Sequence, residues 1–108
     1  MQIPRNALPD TILVRELDTS TEYDGEYLAP YEIKHVRFEK SEALNRNAYQ
    51  LCEGTKGRIF IDAVNSEGAK AIPVGAKVSI NNTANMSVLA CTELRTFNKI
   101  HHWEVDVG

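Results

Sequence analysis

Residues 100–107 read Ile-His-His-Trp-Glu-Val-Asp-Val. Successive side chains of a strand point to opposite faces. Trp103, Val105 and Val107, together with His101, therefore fall on one side, and His102, Glu104 and Asp106 on the other. This is the cleanest two-residue alternation in the chain, and it predicts a strand with Trp103 in a core and its carboxylates facing water. Moving back, residues 86–95 predict a long strand with Val88, Ala90 and Leu94 on one face and Leu89 and Cys91 on the other. Residues 81–85 form the hairpin loop before it, without the Asn-Gly pair that would fix a turn type. Residues 77–80, entered from Val74-Gly75, put Val78 and Ile80 on one face.

The same reading extends to the N-terminal half. Residues 58–65 give a strand centred on Ile59-Phe60-Ile61, and Asn65-Ser66-Glu67-Gly68 turns the chain. In residues 31–40 (Tyr-Glu-Ile-Lys-His-Val-Arg-Phe-Glu-Lys) the apolar phase slips between Ile33 and Val36. That slip predicts a bulge or bend near Lys34-His35. Residues 11–17 (Thr-Ile-Leu-Val-Arg-Glu-Leu), after Pro9-Asp10, are the first strand. Six short strands with no β–α–β alternation and no repeat predict an all-β fold: a small single-domain barrel over residues 1–108, or a compact sandwich.

Two connections are long. Residues 18–30 are polar and carry Tyr23 and Tyr27 ahead of Tyr31, at intervals of four. These tyrosines serve local packing or a sticky intersubunit surface, since Tyr is favoured at interfaces. In residues 41–56, Leu44, Ala48 and Leu51 follow helical spacing, and Ser41 with Glu42 suits a helix start. Asn45, Asn47 and Gly54 oppose a helix, so helix and loop both stay open. A connection of this length in a compact domain is often functional.

Composition narrows the classes. The chain has 108 residues, 43% of them hydrophobic and 25% charged, which suits one globular domain rather than a disordered chain. Its apolar runs are too short to span a bilayer as a helix, so no membrane partner is expected. Met1-Gln2-Ile3-Pro4-Arg5 lacks the pattern of a secretory signal. The expectation is a soluble chain made in the cytoplasm. With 12 basic and 15 acidic side chains, the net charge of −3 does not favour a protein that grips phosphates. Cys52 and Cys91 form no CxxC and read as reduced thiols.

Catalytic patterns are missing. There is no glycine-rich phosphate loop, no GxSxG and no HExxH. As strand neighbours, His101 and His102 are expected on opposite faces, unable to share an ion, and no spacing with His35, Cys52 or Cys91 fits a zinc template. A Cys91 nucleophile paired with His101 or His35 is disfavoured because Cys91 sits in an apolar run. Glu104 and Asp106 read as a solvated face. No enzyme, metal or cofactor is expected. The competing class is an oligonucleotide-binding barrel, for which Phe38 with Arg37 and Lys40, and Phe97 with Arg95 and Lys99, are the candidates.

Several blocks, in order, resemble a family of minor capsid proteins from the head-to-tail morphogenesis regions of long-tailed phages and prophages of Gram-positive bacteria. They are the Ile3-Pro4 lead through Pro9, Tyr31-Glu32-Ile33-Lys34-His35-Val36-Arg37-Phe38-Glu39, Phe60-Ile61-Asp62-Ala63-Val64-Asn65-Ser66, Val74-Gly75, and the closing stretch over residues 100–107. Ala76 departs from the family, which often has an acidic residue there.

The resemblance implies a head-tail connector of the stopper, or head-completion, kind. Such a protein forms a homo-oligomeric ring, six- or twelve-fold, in the neck of the virion. Its implied partners are portal and adaptor proteins on the head side, tail terminator or tail proteins on the other, and genomic DNA passing non-specifically through the channel. It also implies that residues 41–56 project towards that channel as a plug or gate. On this picture Asn45, Arg46, Asn47, Tyr49 and Gln50 face the lumen, and Tyr23, Tyr27 and Tyr31 face a neighbouring subunit or the ring above.

Overall fold

The computed structural model describes residues 4–17, 27–41, 54–83 and 85–108. After a 3-10 turn at Arg5–Ala7 come six strands: β1 (Asp10–Arg15), β2 (Tyr31–Lys40), β3 (Gly57–Asp62), β4 (Lys77–Ile80), β5 (Asn85–Thr96) and β6 (Lys99–Val107). All neighbouring pairs are antiparallel, and the order β1-β2-β3-β6-β5-β4 closes on itself through β4 and β1. Closure gives every strand of the barrel body a neighbour on both sides, which removes sheet edges there.

The inner faces fill the barrel. Ile12, Val14, Ile33, Val36, Ile59, Ile61, Val78, Val88, Val105 and Val107 are buried, with Trp103 beside them. Ile72 and Ala76, from the connection between β3 and β4, join the same cluster. Ala76 is thus part of the core. A small barrel packed by its own side chains leaves no channel through the subunit.

The bulge read from Ile33 and Val36 is present. Thr11 pairs with Lys34 and Asp10 with Val36, so His35 is the extra residue, and its φ is +57°. Ser66, buried, clasps it: its hydroxyl donates to the His35 carbonyl and accepts from the Asp62 amide at 2.9 Å. The Asp62 carboxylate accepts from the amides of Val64 at 3.0 Å and Asn65 at 2.7 Å. That turn stops β3 at Asp62, three residues short of the expected end at Asn65. The Asp-x-x-Asn-Ser block is therefore a structural clasp between β2 and the end of β3.

Two further bulges correct the face assignments. In the β5–β6 ladder Val88 pairs with Val107 and Ala90 with Asp106, which leaves Leu89 extra. Beyond it Cys91 lies opposite Val105 and packs on the core, while Ala90 and Leu94 turn to the outer face. Nearer the tip Leu94 pairs with His102 and Arg95 with Ile100, so His101 is extra. The bulge re-aims its ring, and His101 Nδ1 lies 2.7 Å from His102 Nδ1 instead of on the opposite face.

The carboxylates of β6 do not form a solvated face either. Register sets Arg58 opposite Asp106, and the guanidinium donates through Nε at 2.5 Å and Nη2 at 3.2 Å. Asp106 is only 6% exposed. Glu104, largely covered, stands 3.9 Å from both Arg58 and His102.

The β5–β6 hairpin turns through two residues, Phe97-Asn98, while the longer β4–β5 connection turns at Asn81-Asn82. Asn81-Asn82 and Phe97-Asn98 all have positive φ, which is the I′ geometry that suits the twist of the flanking strands. Asn tolerates this region, but Phe97 is held there at a cost of about 1 kcal/mol.

Candidate interaction surfaces

Both connections singled out in the sequence leave the barrel from defined anchors. In the first, Leu17 and Tyr27 form an isolated antiparallel bridge and Leu28 N donates to Glu16 O at 2.8 Å. Leu17, Tyr27 and Leu28 are exposed apolar side chains at this base. The sequence flagged Tyr27 but not the two leucines, because isolated apolar residues beside a polar loop carry no periodic signal. Tyr23 lies outside the described residues.

Tyr31 sits differently. Its hydroxyl donates to Glu16 Oε2 at 2.6 Å, its ring packs against the core, and Lys70 Nζ lies 4.1 Å over the ring and 2.8 Å from the same carboxylate. Lys70 first, then Tyr31, hold the Glu16 carboxyl below its ordinary value. Burial, and then Glu16, push the Tyr31 phenol well above its own. A raised phenol contributes stability that is complete below about pH 10 and is lost as pH rises through the folded value. The lowered Glu16 contributes stability above its unfolded value that is lost on acidification. In an ultraviolet titration, Tyr31 is expected to ionise in a late phase, well above the ordinary tyrosine value. Tyr31→Phe should remove that late phase, and a late phase surviving in the variant would contradict the bond.

Residues 41–56 are anchored at one end of the barrel. Lys40 pairs with Gly57, Ser41 N donates to Lys56 O at 2.8 Å, and Lys56 N donates to Val107 O at 2.8 Å. A Cβ on Gly57 would stand 2.3 Å from Phe38 Cε2 and 2.7 Å from the Glu39 carbonyl oxygen, so the strand pair at this base requires glycine. Asn45, Arg46, Asn47, Tyr49 and Gln50, and the choice between helix and loop, lie outside the described residues.

A third surface was read from the sequence only at Phe97, with Arg95 and Lys99, as a nucleic-acid candidate. β4 pairs with β5 only over Asn85 to Ser87, with backbone bonds reaching Val88. Beyond that, β5 and the start of β6 run on as a two-stranded ribbon to Phe97, which is 94% exposed. This ribbon accords with the long dimension of the molecule, 42 Å against 27 Å for the other two. Phe38, the other aromatic considered for base stacking, packs against the core instead.

Among the described residues no group of three or more His, Cys, Asp or Glu side chains is placed to hold a metal ion, and no helix is long and apolar enough to cross a membrane. Cys91 is half-buried against the core. His102 titrates below its ordinary value, first because burial disfavours its charge. Among the described residues the surface carries the anchors of two long connections, the exposed Leu17, Tyr27 and Leu28, and a projecting ribbon.

The sequence matches the family described as minor capsid protein over residues 4–107. The chain belongs to this family. The match takes in all six strands and both anchored connections, so this minor capsid protein is a family member along nearly its whole length. Membership gives it a structural role as a component of the phage particle. No curated protein and no solved structure matches it.

Proposed function

We propose that this minor capsid protein works in the neck of a long-tailed phage, as a ring between the portal and adaptor on one side and the tail on the other. There it closes the DNA-filled head and offers the tail its docking surface. The observation that carries the reading is the joint anchoring of residues 41–56. A sixteen-residue excursion leaves and returns through neighbouring backbone contacts, Lys40 with Gly57 and Ser41 with Lys56, at one end of a closed barrel.

A connection so held can project from a rigid body without disturbing it. Because the barrel interior is filled, DNA would pass between subunits arranged in a ring and not through any one of them. A ring needs head-to-tail contacts whose rotation closes. The exposed Leu17, Tyr27 and Leu28, with Tyr23 beyond them in the chain, supply one such contact. The net charge of −3 lets DNA slide past without adhering. Assembly takes place in the host cytoplasm, with portal, adaptor and tail proteins as partners.

Deleting residues 45–50 tests the reading. The barrel should fold and the protein should still join particles, but the heads should lose packaged DNA. Full heads in the deletion mutant would show that these residues do not close the channel.

A further inference from the structure

We propose that two copies of this chain pair through β5, antiparallel about Leu94, to form a closed dimer of the unassembled protein. One edge of β5 is open. Beyond Val88, no strand and no backbone hydrogen bond among the described residues reaches β5 on the side away from β6. An isolated two-stranded ribbon is marginal in water, and an unpaired strand edge is a template for a further strand.

The residues on that edge are complementary to themselves. Residues 92–96 read Thr-Glu-Leu-Arg-Thr. Laid antiparallel against a second copy about Leu94, Thr92 faces Thr96, Glu93 faces Arg95, and Leu94 faces Leu94, each pair twice or on the axis. Thr–Thr, opposite-charge and apolar pairs are those that stabilise antiparallel neighbours. Glu93 and Arg95 already share one face of the ribbon, with Arg95 Nε donating to Glu93 Oε2 at 2.8 Å. The dimer therefore gathers two carboxylates and two guanidinium groups in alternation. The same register brings Phe97, exposed and held at φ +52°, opposite Cys91 of the other copy.

β2 offers an instructive contrast. Arg37 and Glu39 flank Phe38 in a similar way, and the two side chains are paired. There, however, the Asp10 carboxylate accepts from Phe38 N at 2.9 Å and closes the edge. β5 carries the complementary sequence on an edge left open.

A contact with two-fold symmetry uses the same patch on both copies and ends at two, whereas a ring contact joins different patches. The dimer is thus separate from the neck reading, and it is tested on the purified chain instead of on particles. Sedimentation velocity over a concentration series should show a monomer–dimer equilibrium. Glu93→Arg puts like charges opposite each other at both symmetry-related positions and should weaken the dimer about tenfold. The double variant E93R/R95E restores opposite charges in this register alone and should return the dissociation constant to the native value. Thermal melts of both variants establish that each is folded, since both positions are exposed. A monomer at every concentration, or a double variant as weak as the single one, would overturn the proposal.

Discussion

Replacing Arg58 with Met should lower the unfolding free energy by about 3 kcal/mol or more. Arg58 and Asp106 side chains are 11% and 9% exposed, and the guanidinium makes two hydrogen bonds to the carboxylate across the β3–β6 ladder. The substitution preserves much of the volume of Arg58 but takes its charge away from a carboxylate that water scarcely reaches. Removing one partner of a covered ion pair costs far more than removing both, because the remaining charge keeps its desolvation penalty. The double variant R58M/D106L should therefore recover much of the loss. Urea unfolding followed by circular dichroism, completed as a double-mutant cycle, measures both numbers. A loss below about 1 kcal/mol for Arg58→Met would place the pair in the class of solvent-screened surface bridges.

Trp103 gives the second large effect, and its size depends on what replaces it. The side chain is 8% exposed in the core, opposite Ile61 on one side and Glu93 on the other. Trp103→Ala empties an indole-sized volume and should cost about 4 kcal/mol. Trp103→Phe should cost far less, about 1 kcal/mol, since a ring still fills most of the site. The indole N–H is buried without a hydrogen-bond partner, so Phe removes an unsatisfied donor rather than a bond. A large loss on Trp103→Phe would mean that the N–H is satisfied. Chemical unfolding compares the two variants, and Trp103 as the sole tryptophan gives the parent protein a fluorescence signal from its core.

All six strands were legible from alternation and β-branched content, and so was the bulge at His35. That bulge showed because Ile33 and Val36, both strongly apolar, stand three apart where a regular strand needs two or four. The bulges at Leu89 and His101 left no comparable mark. Around Leu89 the run Val-Leu-Ala-Cys is apolar throughout, so a slipped phase looks the same as a regular one. At His101 the neighbouring histidine can sit on either face, and only the cross-strand pairing reveals which residue is extra.

The surface of β6 was misread for a related reason. Asp106 alternates with core valines and so looks solvated, and its burial depends on Arg58, a residue 48 positions away that only the sheet register brings opposite. Asp62 and Ser66 carried a family signature in the sequence, and their physical role, a turn and a clasp on the His35 bulge, follows only from the fold. The open edge of β5 was invisible because it depends on β4 being four residues long against twelve. No property of residues 92–96 themselves reveals which neighbour they lack.

Cryo-electron microscopy of intact virions shows directly where this protein sits in the particle. The chain should trace as a ring between portal and tail, with residues 41–56 directed at the DNA channel. Finding the chain distributed over the capsid shell, or in no part of the neck, would contradict that placement.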